Sequence, residues 1–179
     1  MIKSVKDIRD EFFDEGNLSA QSIKDLTWHI ENDPSPDRSI TLVTDARLME
    51  LVPLIAKHLE HEDDFIRQHT VGCVIGRLRL ANYAEKALNM ALEDPESGPR
   101  GLATSNLGAV INQVSPVLKK RIANYLYDVL INPKYDNVER RFAFRSILEA
   151  MEIPMSQRFT IQNAEMQNLM KQFTIKYDV

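Results

Sequence analysis

Leu59-Glu60-His61-Glu62-Asp63-Asp64-Phe65-Ile66-Arg67 and Leu92-Glu93-Asp94-Pro95-Glu96-Ser97-Gly98-Pro99-Arg100 are two versions of one pattern: an apolar residue, an acidic turn, and an arginine eight residues on. A shorter version runs from Ile30 to Arg38 across Glu31-Asn32-Asp33-Pro34, and a looser one from Leu130 to Arg140 across Asn132-Pro133-Lys134-Tyr135-Asp136. The steps between the arginines are 29, 33 and 40 residues. A stack of two-helix units gives such a period, because each unit buries its apolar face only against its neighbours.

Working outward, apolar residues keep helical spacing on both sides of these turns. Ile2, Val5, Ile8 and Phe12 predict a first helix that ends at Asp14-Glu15-Gly16-Asn17. Ser19 is placed to cap the next, with Ile23, Leu26 and Ile30 on its face. Ser35-Pro36 predicts a serine cap and a proline in the first turn of a short helix through Ile40, Val43 and Ala46. Pro53 in the apolar run 48–59 either lies in the first turn of a helix beginning near Glu50 or kinks a longer one. Asp63-Asp64 starts a helix through Ile66, Val74 and Leu78, since carboxylates favour the positive end of its dipole. Tyr83 to Leu92 is closed by Asp94-Pro95, and its partner is expected to run from Leu102 to Val114. Ser115-Pro116 opens the next helix, Asn132-Pro133 stops it, and Val138 to Met151 supplies the last of the series. Beyond it, Ile161 to Phe173 suits an amphipathic helix, whereas Phe173 to Val179 alternates as a strand does. This tail is expected to cover the end of the stack, whose bare apolar face would otherwise meet water.

The chain of 179 residues has room for one domain with a substantial core. Its net charge of −4 provides no global basic field for a polyanion, which argues against nucleic acid as partner. A single cysteine, Cys73, cannot make an internal disulfide and suits a reducing compartment. No apolar run approaches the ~20 residues that span a bilayer. A cytoplasmic protein with no membrane contact is the expectation.

The turn-and-arginine stretches, with Ala103 and Leu107-Gly108 after Arg100 and Ala143 after Arg140, resemble HEAT-like repeats over residues 19–151. The resemblance implies an all-α, right-handed alpha-alpha superhelix of about four two-helix repeats. On that reading residues 1–179 are one solenoid domain, with 1–18 a leading helix, 19–151 the repeats and 152–179 a C-terminal cap. Arg38, Arg67, Arg100 and Arg140 are then structural, because a guanidinium with five donors bridges acceptors in neighbouring turns.

Chemistry-bearing constellations are sparse. His58, His61 and His69 lie near an acidic run, yet His58-Leu-Glu-His61 lacks the two-histidine, four-apart zincin spacing. No metal and no cofactor are expected. Cys73 sits among Val71, Val74 and Ile75 with no base evident to activate it, so it reads as a small buried hydrophobe. Gly72 and Gly76 lack the following Lys-Ser/Thr of a phosphate loop and suit close helix packing. Positions one, five and twelve after each arginine are expected to share an exposed face: Gln68, Gly72 and Arg79, then Gly101, Ser105 and Asn112, then Arg141, Arg145 and Glu152. Of these, Gln68, Arg79, Ser105, Asn112, Arg141 and Arg145 are the candidate partner-binding residues. The expected function is a non-catalytic protein–protein interaction module, an adaptor or a stoichiometric inhibitor of the immunity type. The alternatives are an enzyme on the same scaffold, DNA glycosylase-like or bilin lyase-like, as the resemblance allows, or a weak binder of RNA or an acidic ligand through Lys119-Lys120-Arg121 and Arg140 to Arg145.

Overall fold

Side-chain caps written into the sequence open five of the described α-helices. Ser4 accepts from the Asp7 amide to open α1 (Val5–Glu15), and Gly16, at φ 73°, closes it in the left-handed region that a residue without Cβ adopts at no steric cost. Ser19 opens α2 (Ala20–Asn32). Asp63 accepts from the amides of Phe65 and Ile66 to open α5 (Asp64–Val71). Ser115 opens α8 (Pro116–Ile131), and Asp136 with Glu139 forms a reciprocal capping box at the start of α9 (Asn137–Ala150). The computed structural model describes residues 1–158, 161 and 163–179. The described residues form eleven α-helices and no strand.

Two boundaries depart from the sequence expectation, and at Pro53 the structure selects one of the two alternatives. Ser35 does not cap α3 (Asp37–Asp45): Pro36 holds the cap position, and the Ser35 amide donates to Asp33 Oδ1 at 2.9 Å, so the turn closes on aspartate. Around Pro53 the chain makes a 3-10 turn (Met49–Leu51), then α4 (Val52–Ile55) with the proline in its first turn, then a 3-10 segment (Ala56–Glu60). Pro53 therefore opens a helix and does not kink one, since a first-turn amide needs no intrahelical acceptor. The partner helix of α6 (Ala84–Glu93), α7 (Ser97–Asn106), stops well short of Val114 and tightens into 3-10 turns (Leu107–Ala109 and Ile111–Gln113). There the backbone runs against α9. The Gly108 amide donates to Ser146 Oγ at 2.6 Å, and a Cβ on Gly108 would collide with the Ser146 carbonyl.

The packing follows chain order. Helices α3, α5, α7 and α9 each neighbour the next, α6 lies on α7, α8 on α9, and the 3-10 end after α4 on α5. After Val71, α5 widens into a π-helical segment, Gly72–Arg77, where Gly72 meets Leu102 and Gly76 meets Asn106 of α7. One continuous apolar core joins Ile8 of α1 to Ile147 of α9. It extends into α11 (Asn163–Tyr177), which follows α10 (Met155–Arg158).

The strand-like alternation of 173–179 does not produce a strand. A strand would place Phe173, Ile175 and Tyr177 on one face, but Ile175 is 73% exposed while the other two are buried. A helix separates them in that way, and the Phe173 and Tyr177 rings stand 4.7 Å apart on the covered side. The single Tyr177 hydroxyl proton is shared between Asn112 Oδ1 (2.8 Å) and the Ala150 carbonyl (2.9 Å), and Lys176 Nζ reaches that same carbonyl at 3.0 Å. The tail thus satisfies acceptors at the end of α9. The amphipathic helix expected over Ile161 to Phe173 forms from Asn163 on; residue 162, within that expectation, lies outside the described residues. No helix among the described residues is long and apolar enough to cross a membrane.

Candidate functional site

The repeated arginines occupy like positions but have unlike partners. Arg67 donates from Nη1 to the carbonyls of His61 (2.8 Å) and Glu62 (2.9 Å), closing the turn before its own helix. Its other edge, Nε and Nη2, grips both carboxylate oxygens of Asp94 at 2.7 and 2.8 Å. The two side chains are only 12% and 6% exposed, which makes this fork the most buried ion pair among the described residues. Arg67 holds the Asp94 carboxyl below its ordinary range, against the opposing effect of burial. Arg100 repeats the first half: Nη1 donates to the carbonyls of Asp94 (2.7 Å) and Pro95 (2.9 Å). Arg140 reaches the Asn132 carbonyl from Nη2 at 3.1 Å, while its Nε is buried without a partner among the described residues. Arg38 is exposed on a shallow depression with Arg9, Thr41 and Asp45.

The residues following these arginines do not form one exposed face. Gly101 is buried beneath the Phe142 ring, and Ser105 is 4% exposed, its hydroxyl without a partner among the described residues. These positions face the neighbouring helix because α7 is flanked on both sides, by α5 and by α9. Gln68 is half-buried against Gly98. Arg79 is exposed, in the left-handed region at φ 56°, and pairs with Glu149 of α9 at 2.7 Å. Asn112 donates to the Ala150 carbonyl at 3.1 Å and accepts from Tyr177, so it ties the tail down. Glu152 follows α9 and accepts from Asn112 at 3.3 Å.

Arg141 and Arg145 stand apart from this group. Both are exposed, one helical turn apart on α9, and neither has a hydrogen bond or ion pair with a described residue. They line a groove of about 620 Å³ together with the apolar Phe142, Phe144, Leu148 and Met155. Arg158, which the sequence did not single out, lines the same groove. Its guanidinium is held by the Ile153 carbonyl (2.7 Å) and by Glu149 (2.5 Å), so it is a fixed cation beside two free ones. Val138 and Met155, 55% and 54% exposed, add apolar surface at the rim.

The histidines have separate structural partners. His58 Nε2 lies 3.1 Å from the Ile30 carbonyl, and burial lowers its pKa. His61 Nδ1 accepts from the Asp63 amide at 3.0 Å. His69 Nε2 lies 2.8 Å from Thr41 Oγ1 and 3.8 Å from Cys73 Sγ. Among the described residues no three His, Cys, Asp or Glu side chains converge on a point where one ion would be held. Cys73, beside which no base is evident in the sequence, has one in space in His69. Residues four apart on a helix meet, and that spacing was the available signal for His69. Burial pushes the thiol up, but the bonds to His69 and Thr44 outweigh it and bring it below its usual value. At 2% exposure the sulfur is nevertheless out of reach of a bulky substrate.

A second cleft, also about 620 Å³, opens between α7 and α9 beside the Arg100 turn. Tyr125, Tyr135 and Phe142 are its aromatic walls, and Arg100 and Thr104 its polar ones. The Tyr125 hydroxyl donates to the Ala91 carbonyl at 3.0 Å and shares a 2.8 Å bond with Thr104; burial pushes its pKa up to about 12, so it stays a neutral donor. No family model, no curated protein and no solved structure matches the chain.

Proposed function

We propose that the protein is a non-catalytic interaction module, an adaptor or a stoichiometric inhibitor of the immunity type, that grips a protein segment on the outer face of α9. Its frame is a right-handed HEAT-like stack of about four repeats over residues 19–151, led by the helix within 1–18 and capped by 152–179. The in-order contacts of α3, α5, α7 and α9 and the arginine-to-turn bonds of Arg67, Arg100 and Arg140 support that frame. A free cysteine, buried in the core, suits action in the cytoplasm.

One observation carries the choice of surface. Arg141 and Arg145 are exposed and unpaired in a groove they share with apolar residues, in a chain whose net charge is −4. Unpaired arginines around apolar pockets are the residues that interfaces enrich, because each joins a planar charge to an apolar stem. The complementary partner is a segment with apolar residues for the groove and carboxylates for the two arginines. Affinity capture from nuclease-treated source cells tests this with the wild type and the double variant Arg141→Glu/Arg145→Glu. A protein held by the wild type, lost by the variant and released by high salt is expected. An identical set of captured proteins from both would contradict the surface.

A further inference from the structure

Arg67 and Arg100 make the same pair of carbonyl bonds with Nη1 and differ in what meets the opposite edge of the guanidinium. For Arg67 that edge is filled by the Asp94 carboxylate. The next turn of the chain holds Asn132 where Asp94 would recur, and its side chain is turned to its own surroundings: Nδ2 donates to Asp128 and Oδ1 accepts from the Lys134 amide, both at 3.1 Å. No described residue bonds Arg100 Nε or Nη2, and Arg100 lines the cleft between α7 and α9.

We infer that this cleft binds a carboxylate supplied from outside the chain, taken on the Nε–Nη2 edge of Arg100 as Asp94 is taken by Arg67. The planar fork matches a carboxylate in two parallel bonds. Tyr125, Tyr135 and Phe142 accept an apolar stem behind it. Two acidic groups also face the cleft, and both are engaged at the start of α9. Asp136 Oδ1 accepts from the amides of Val138 (2.7 Å) and Glu139 (2.8 Å), and Glu139 Oε2 accepts from the Asp136 amide at 3.0 Å. Their charges favour a monoanion over a phosphate dianion. Val138 and Phe142 line both this cleft and the α9 groove, so a segment lying in the groove reaches Arg100 with a Glu or Asp side chain. The inference rests on the proposed function only in assigning the carboxylate to a protein side chain.

Amide and arginine NMR of the whole 15N-labelled chain tests it, with N-acetyl-Phe-Glu-amide, its Gln counterpart and 3-phenylpropionate as probes. The Glu peptide is expected to shift Arg100 Nε–H and the amides of Gly98 and Gly101, binding at least tenfold more tightly than the Gln peptide. Arg100→Gln is expected to abolish that preference, while Arg141→Glu/Arg145→Glu keeps it. The capture experiment and this one therefore fail separately. Equal binding of the Glu and Gln peptides by the wild type overturns the inference without recourse to any variant. A preference that survives Arg100→Gln in a folded protein overturns it as well. Tighter binding of 3-phenylpropionate than of the Glu peptide overturns the side-chain source and points to a small free acid.

Discussion

The turn at Asp94 and the turn at Asn132 come from one pattern but are closed differently. At Asp94 two arginines meet: Arg67 takes the carboxylate, and Arg100 takes the carbonyls of Asp94 and Pro95. At Asn132 the path to the arginine is two residues longer, the carboxylate is replaced by an amide, and Arg140 alone reaches the turn, through one bond. The first turn locks α5 to the loop before α7. The second leaves a cleft beside α9, the helix that also carries the free Arg141 and Arg145. A repeated residue is therefore no guide to a repeated role: its partner in the next turn decides whether its charge is consumed or available.

This comparison is open to direct challenge. Arg67→Ala should have the largest effect, about 3 kcal/mol of stability in chemical denaturation, because it strands Asp94 as a buried, uncompensated carboxylate. A loss no larger than that of Arg100→Ala would remove the distinction between the two turns. Acid titration of stability examines the same fork. Asp94 is depressed in the folded state, so its contribution is complete above the ordinary Asp value near 3.8 and is lost as pH falls through the lower folded value. Asp94→Asn should be less stable at neutral pH, and its stability should fall less steeply in that acid window. A parallel acid profile would show that the fork is not coupled to folding.

Arg100→Ala should cost less, about 1–2 kcal/mol, since only carbonyl bonds from a half-buried side chain are removed. Arg141→Glu/Arg145→Glu should change stability least, within about 0.5 kcal/mol by thermal melting, because neither side chain has a partner to lose. A large destabilisation there would mean that these arginines hold the fold together and are not a free surface.

What the sequence made legible was local. The stops at Gly16 and Asn132, the caps at Ser19 and Ser115 and the helix start at Asp63-Asp64 depend on residues within a few positions of each boundary, and they form as read. What it hid depends on neighbours far along the chain. The early end of α7 follows from the approach of Gly108 to Ser146, thirty-eight residues away. The burial of Gly101 and Ser105 follows from α7 lying between two helices. The tail illustrates how a period of two and a helical face coincide in a short stretch, leaving the exposure of Ile175 to distinguish them. At the candidate site, Arg141 and Arg145 were legible as residues following a repeated arginine. Arg158 was not, because its place is fixed by Glu149 and by a backbone carbonyl.

The central claim is that two like arginines differ in whether the Nε edge is engaged, and Nε–H exchange with solvent measures this at each of them. Arg67 Nε–H, donated to Asp94 at 2.7 Å in a largely buried pair, should exchange slowly. Arg100 Nε–H should exchange at the rate of a freely hydrated guanidinium. Equal protection of the two, with no carboxylate added, would contradict the account.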